Sequence, residues 1–381
     1  MKPVQTVKID HQGNLPTEGR TAFSLDQNSL THLMGVLTDL YTDTLGAVIR
    51  EYSTNAADAH AEAKNPAPIE VTLPTALVPT LTIRDYGIGM SRDTVEQCYG
   101  SYGFSTKRNT NDQTGMLGLG TKSALTYTTQ FTVTSVKDGK RVVVVVSRDE
   151  NGVGFLQTVS HTETADPNGT TIMIPIPGSD VGRACEKARD FFKYWKPGSV
   201  LVNDEAPTNF LDVARDAGRT VIEIDDDIFV LSGYAPKGST IVMGGVGYNV
   251  SNHSVLPNNV NGSNWSIVAF VPMGSVTFSP AREEVSDSET TSETLRTIKS
   301  YVTESYTRKI REQVEGCTSI GEAAVMINDT QNFLRHTIRT WNFETIPDYV
   351  TFDSGYSWSS SHLDNTVSKM RSALRPHGCA E

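Results

Sequence analysis

Glu51, Asn55 and Asp58 follow one another at spacings of four and three residues, within the run Arg50-Glu51-Tyr52-Ser53-Thr54-Asn55-Ala56-Ala57-Asp58-Ala59-His60. On a helix these spacings put all three on one face. A carboxylate, a neutral amide oxygen and a second carboxylate then point into one site. Glu51 suits a general base that orients and deprotonates water for attack on a γ-phosphate. Asn55 offers a neutral oxygen to a hard cation such as Mg2+, which keeps several waters and takes one or two protein ligands. Asp58 suits a buttress better than a reacting group. Taken alone, the triplet is explained equally well as a solvated acidic helix face.

Two glycine-rich segments follow. Asp85-Tyr86-Gly87-Ile88-Gly89-Met90 places a carboxylate at the end of an expected strand, where it can accept the exocyclic amine of adenine. Gly87 and Gly89 would let the backbone approach the base. The plain alternative is an ordinary Asp-x-Gly turn. Gly115-Met116-Leu117-Gly118-Leu119-Gly120-Thr121-Lys122-Ser123 opens a helix, and amides at a helix N-terminus cradle phosphate. A P-loop is excluded, because Thr121 separates Gly120 from Lys122 and the upstream context is a polar loop rather than a buried strand. Lys107, after Ser105 and Thr106, is placed to close on phosphates or to sit in solvent. Lys122 favours a phosphate contact. Asp225-Asp226-Asp227 reads as a strand-end turn in preference to a metal cluster, and His32 as a core or partner-facing residue.

The elements that must hold these residues are legible from periodicity. Leu30, Leu33, Met34, Leu37 and Leu40 recur at helical spacing, and a second helix carries Leu45, Val48 and Ile49 into the acidic run, ending before Pro66. Strands are expected at 69–73, 81–84, 130–136, 141–147, 154–159 and 170–176, with a hairpin turn at Lys137-Asp138-Gly139-Lys140. Residues 91–114 form a polar loop with a short helix near 95–99. Pro175-Ile176-Pro177-Gly178 marks a domain edge. A helix over 181–194, short strands to about 271 and long helices over 286–314 and 321–339 follow. The division is an arm over 1–24, a nucleotide domain over 25–178, a second α/β domain over 179–285, and C-terminal helices and tail over 286–381.

Composition narrows the function classes. The 381 residues suit two to three domains. A net charge of −11 disfavours broad nonspecific nucleic-acid binding. Cys98, Cys185, Cys317 and Cys379 are too far apart for a zinc pair or a disulfide framework, the longest strongly apolar run (142–146) is too short for a bilayer span, and the N-terminus lacks a signal peptide. A cytoplasmic protein is expected.

Taken in order, the motifs resemble the GHKL superfamily, named for gyrase, heat-shock chaperone, histidine kinase and MutL proteins. The resemblance covers roughly residues 25–178 and includes Asn168-Gly169-Thr170-Thr171-Ile172 as its last motif. It implies a Bergerat α/β sandwich with a mixed, mostly antiparallel sheet and helices on one face, then a transducer-like α/β domain and a helical C-terminal segment. It implies Glu51 as catalytic residue, Asn55 as Mg2+ ligand, and Asp85 with Thr170 as adenine readers. Gly87, Gly89 and Met90, and Gly115, Gly118, Leu119, Gly120, Thr121 and Lys122, then belong to the ATP site with Asp58 and Lys107. In gyrase and MutL relatives a cation from the next domain reaches the γ-phosphate. Arg282, in Ser279-Pro280-Ala281-Arg282-Glu283-Glu284, is the candidate, with a local ion pair as the alternative.

Within the superfamily the chain looks most like phage rIIA-like proteins, through Asp39-Leu40-Tyr41-Thr42, Asp58-Ala59-His60-Ala61, Tyr99-Gly100-Ser101-Tyr102 and Gly118-Leu119-Gly120-Thr121-Lys122-Ser123, although it is much shorter than the best-known member. That resemblance implies slow Mg2+-dependent ATP hydrolysis driving lid closure and an ATP-dependent homodimer, in host cytoplasm, with a host or phage protein as partner and a role in host exclusion or lysis timing. The alternatives are a GHKL protein kinase, a nucleic-acid-remodelling ATPase, and an interaction protein that binds nucleotide without turnover.

Overall fold

The computed structural model describes residues 41–101, 120–149, 153–232, 238–250, 255–256, 265–279 and 281–317, together with short strands at 340–341, 344–345, 349–351 and 357–359. The expected arm, the helix before Leu40, His32, Lys107, Gly115, Gly118, Leu119 and the helix over 321–339 lie outside these residues.

Helix α1 (Thr44–Ala63) carries the acidic triplet. Asp43 caps it by accepting the Gly46 N–H at 3.1 Å, a contact typically worth about 1 kcal/mol. Leu45, Val48, Ile49, Tyr52 and Ala56, at helical spacing, are buried against the sheet. Each large aliphatic side chain so buried contributes roughly 1.5–3 kcal/mol. The helix stops at Lys64, which turns left-handed at φ 51°, ahead of Pro66.

The sheet beneath α1 has seven strands: β1 (Ile69–Thr72), β2 (Thr80–Arg84), β3 (Gln130–Lys137), β4 (Lys140–Arg148), β5 (Gly154–Glu163), β6 (Gly169–Pro175) and β7 (Val200–Val202). Their spatial order is β5-β4-β3-β6-β2-β1-β7, and only the β1–β7 pairing is parallel. This is the mixed, mostly antiparallel sheet expected. Alternation sets its inner face: Leu81 and Ile83, Phe131 and Val133, Val142, Val144 and Val146, and Ile172 and Ile174 all enter one core. Asp138 and Gly139, both at positive φ, make the tight β3–β4 turn.

Helix α2 (Arg92–Gly100) packs on β4, β5 and a short helical turn over Gly120–Lys122, and this turn and the α3 (Ala124–Tyr127) that it leads into pack beside α1. Helix α4 (Val181–Phe192) buries Ala184, Ala188 and Phe192 in the same core. With β7 joined to β1, the first packed unit runs past residue 178, where the sequence places a boundary. The parallel β1–β7 pairing explains this: a strand added by a helical crossover leaves no local turn signal in the sequence.

The second unit is a five-stranded sheet, β11-β10-β12-β9-β8, from β8 (Val221–Glu223), β9 (Ile228–Ser232), β10 (Thr240–Met243), β11 (Val246–Asn249) and β12 (Trp265–Val271). Helix α5 (Phe210–Asp216), missed from sequence, covers one face through Phe210 and Ala214. The long helix α6 (Glu289–Glu315) covers the other through Leu295, Ile298, Val302 and Tyr306. The short strands β13 (Thr340–Trp341) with β14 (Glu344–Thr345), and β15 (Tyr349–Thr351) with β16 (Ser357–Ser359), form two hairpins in the tail. No helix among the described residues is long and apolar enough to cross a membrane.

Candidate nucleotide site

Strand β2 ends at Arg84, so Asp85 leaves the sheet edge beneath α1, 7% exposed. Its Oδ1 accepts two backbone amides, Gly87 N–H at 2.9 Å and Thr170 N–H at 3.2 Å. Two amides on one oxygen fix the plane of the carboxylate, and therefore the direction of its second oxygen. Thr170 lies next to Asp85 at the start of β6 and is also buried. This pairing is what an adenine reader requires: a fixed acceptor beside a hydroxyl.

The glycines of this turn have a different reason from the one the sequence suggests. A side chain at Gly87 would strike Ala59 of α1, with Cβ only 2.5 Å from its methyl. Gly89 sits at φ 63°, and a Cβ there would lie 1.9 Å from the Val136 carbonyl oxygen. They let the turn press on helix and strand. Gly169, at φ 149°, does the same against the Asp85 carbonyl.

His60 supports the turn from α1. Its Nε2 accepts the Tyr86 N–H at 2.7 Å, and Asn65 Nδ2 donates to the Tyr86 carbonyl at 2.7 Å. Burial holds the His60 pKa below its ordinary value, partly offset by a hydrogen bond with the Ala67 backbone. The neutral form is the one that can accept from Tyr86.

Glu51 is 4% exposed, while Asn55 and Asp58, on the same face of α1, are half-buried. The Glu51 carboxylate meets two arginines. Arg50 Nε approaches Oε1 at 3.4 Å, and Arg282 Nη1 lies 3.3 Å from Oε1 and 3.2 Å from Oε2. Arg282 comes from the second unit, on a loop closed by the Phe278–Val285 bridge. Arg50 Nη2 donates to the Ala281 carbonyl at 2.7 Å, and the Asp43 N–H donates to Glu283 Oε1 at 2.9 Å, so the same loop is tied to α1 on both sides of Glu51. Arg282 holds a left-handed backbone at φ 56°, rare for a side chain with a Cβ and costing of order 1–3 kcal/mol. Its Nε and Nη2 make no hydrogen bond among the described residues. Arg282 is therefore ion-paired, but not locally: its partner is the candidate base itself, 231 residues away in the chain.

Gly120 closes the other side. A Cβ there would fall 2.3 Å from Glu51 Oε2, so a side chain at this turn would have to displace the carboxylate. Thr121 donates to the Cys98 carbonyl at 3.0 Å and accepts, through its own carbonyl, the Tyr52 hydroxyl at 2.9 Å. The Lys122 ammonium is turned inward, onto the Cys98 carbonyl at 2.7 Å and the Ser101 carbonyl at 2.6 Å. It holds the C-terminal end of α2, a favourable place for a cation. Burial lowers its pKa to about 8. The phosphate contact expected of Lys122 is not the one this geometry makes.

Sequence reasoning missed Arg50, His60 and Ser135 as parts of the site. Ser135 carried a readable signal, a lone hydroxyl after Phe131 and Val133 on the inward face of β3. Arg50 and His60 carried none beyond flanking the acidic face. The Asp225 cluster is a turn, its Oδ1 accepting the Asp227 and Ile228 amides. Among the described residues, no group of three or more His, Cys, Asp or Glu could hold a metal.

The residues present fit a nucleotide. Asp85 is buried with its plane fixed, the Gly120 turn lies against the carboxylate of α1, and the half-buried Asn55 is on the same helix face. One amide oxygen beside one carboxylate suits a cation that takes most of its ligands from phosphate and water.

Residues 43–164 match the family described as histidine kinase-, DNA gyrase B-, and HSP90-like ATPase. The match spans α1 to β5 and so contains Glu51, Asn55, Asp58 and Asp85, while Thr170 and Arg282 lie beyond it. Among solved structures, the ATPase region of Saccharomyces cerevisiae topoisomerase II is similar at 14% identity, covering 70% of this chain and 85% of that one, with a TM-score of 0.48. The same region bound to ICRF-187 (dexrazoxane) is similar at 14% identity over the same shares, with a TM-score of 0.47. No curated protein matches the chain.

Proposed function

We propose that this protein binds ATP with Mg2+ between α1 and the Asp85 turn and hydrolyses it slowly, as a GHKL-type ATPase. The observation that carries the reading is the pairing of a buried, amide-fixed Asp85 with a buried Glu51 on one helix, inside the segment that matches an ATPase family. Asp85 and Thr170 read adenine. Asn55 holds the cation, which when bound neutralises charge on the phosphates. Glu51 orients water and accepts its proton, and the Gly120 turn keeps that carboxylate in place.

Arg282 links the base to the second unit. Its pairing with Glu51 means that any shift of the 278–285 loop changes the charge beside the base. In the nucleotide complex Arg282 is the second-unit cation next to the γ-phosphate. Hydrolysis is thereby coupled to the disposition of the two units, which is the property a conformational switch needs. The switch is nucleotide-driven lid closure that pairs two chains. The resemblance to phage rIIA-like proteins supports a place for this switch in host exclusion or lysis timing, in the host cytoplasm, acting on a protein partner.

The test is Glu51→Ala. The variant should keep ATP affinity and lose hydrolysis by about 10²–10⁴-fold. Unchanged turnover would remove Glu51 from the role. Phosphate transfer from ATP to a protein side chain would favour a kinase instead.

A further inference from the structure

The Asp85 turn is held at both ends by side chains from outside it. At its far end Ser135 Oγ, fully buried on β3, accepts the Met90 N–H at 2.8 Å. At its near end two side chains grip the peptides on either side of Tyr86. His60 Nε2 accepts the Tyr86 N–H, and Asn65 Nδ2 donates to the Tyr86 carbonyl, each at 2.7 Å. The second of these peptides carries the Gly87 N–H, which donates to Asp85 Oδ1 at 2.9 Å. Holding Tyr86 therefore aims the amide that fixes the Asp85 carboxylate.

Of these anchors only His60 titrates near neutral pH. The Ala67 N–H is already given to Asn65 Oδ1 at 3.0 Å. The hydrogen bond between His60 and the Ala67 backbone therefore uses the Ala67 carbonyl and takes the Nδ1 proton. Nε2 is left as the acceptor. A second proton can go only to Nε2, where it would meet the Tyr86 N–H at 2.7 Å, donor against donor. The charged groups nearest in the chain or across the packing are Asp58, Glu62 and Lys64 of α1, Glu70 of β1, and Arg84 and Asp85 at the end of β2. Glu70 Oε1 accepts the Tyr86 hydroxyl at 2.7 Å. None of these groups forms an ion pair with His60 among the described residues. Burial, which disfavours the proton, outweighs the Ala67 hydrogen bond, which favours it.

We propose that His60 is a positioning residue that makes nucleotide binding proton-sensitive: neutral, it holds the Tyr86 amide and so the Asp85 carboxylate, and protonated it releases both. The inference rests on the nucleotide reading above. His60 acts through the Tyr86 and Gly87 amides rather than on the nucleotide.

The experiment measures binding of ADP with Mg2+ to the full chain by calorimetry between about pH 7.5 and about pH 5.5. Two variants are measured alongside. His60→Gln keeps an acceptor but takes no proton, and His60→Leu has neither. At the higher pH, His60→Gln should bind within about threefold of wild type, and His60→Leu about tenfold more weakly, the effect of a buried amide left without its acceptor. Towards the lower pH, the ratio of the wild-type Kd to that of His60→Gln should rise about three- to tenfold, the ceiling for a group that takes its proton below 6.5. The ratio cancels the titration of the nucleotide's own phosphate. A merely structural role would lower unfolding midpoints and leave the ratio flat, and a flat ratio overturns the inference. So does His60→Leu binding as tightly as wild type, or His60→Gln binding as weakly as His60→Leu, at the higher pH. If His60→Leu does not fold, the pH ratio alone decides. A wild-type chain that binds no ADP at either pH defeats the nucleotide reading and this inference together, whereas ADP binding with a flat ratio defeats only this inference.

Discussion

Replacing Arg282 by methionine leaves Glu51 buried with Arg50 as its remaining partner at 3.4 Å. The two side chains of the Arg282–Glu51 pair are 7% and 5% exposed, so water screens their attraction little. Breaking a buried pair by removing one partner costs about 3–5 kcal/mol. Two features reduce that. Arg50 retains part of the charge compensation, and methionine removes the buried Nε and Nη2 groups, which lack hydrogen-bond partners and cost about 1–3 kcal/mol on burial. The left-handed backbone at 282 is inherited by methionine and cancels. A loss of about 2 kcal/mol or less remains. Glu51→Gln should lose a similar amount. The double variant should lose less than the sum by at least about 1 kcal/mol, because neither member of the Arg282–Glu51 pair is left facing the other's absence. Urea unfolding followed by circular dichroism measures all four proteins, at low and at high salt. Additivity within about 0.5 kcal/mol, or a coupling that vanishes at high salt, would show that the pair is not a buried link between the two units.

The remaining predictions concern the walls of the site. Neutral His60 accepts the Tyr86 amide, and burial keeps its folded-state pKa below 6.5. As pH falls from about 6.5 the unfolded chain takes the proton first, so wild type should lose stability across that window. His60→Gln should show a shallower slope in urea midpoints between pH 7.5 and 5.5 (about two pH units spanning the transition), and an equal slope would exclude the histidine. Lys122, lowered to about 8 by burial, gives a second window of the same sign at higher pH: the folded protein releases the proton first, so stability rises with pH between about 8 and 10.5, and Lys122→Met should lack that rise. Gly120→Ala puts a methyl within 2.3 Å of Glu51 Oε2, and by displacing the carboxylate should cut hydrolysis about 100-fold while leaving ADP affinity within threefold (~3); normal turnover would show that the Gly120 turn does not position the base. Glu51→Ala should dimerise with ATP but not with ADP or without nucleotide, and the same solution mass in all three conditions would rule out nucleotide-gated pairing.

The first unit was legible in the sequence because its signals are local. Alternation in β3 and β4, the Asp138-Gly139 turn and the apolar stripe of α1 each follow from a few neighbouring residues. Glu51, Asn55 and Asp85 were legible because helix spacing and a strand end fix where such side chains go. The rest depended on distant contacts. β7 pairs in parallel with β1 across more than a hundred residues, with no hairpin turn to announce it, so residue 178 looked like an edge. Arg282 meets Glu51 across the joint between two units, and Lys122 is drawn inward by carbonyls at the end of α2. The glycines were found for an incomplete reason: their contacts with Ala59, Val136 and Glu51 show that close packing of backbone sets them, and periodicity cannot display that.

Calorimetric titration of the full chain with ADP and Mg2+, beside Asp85→Ala, tests the central claim most directly. The account predicts one saturable site per chain in wild type, and no measurable binding in an Asp85→Ala protein whose unfolding remains cooperative. Wild-type affinity retained in Asp85→Ala, or no binding by wild type, would contradict it.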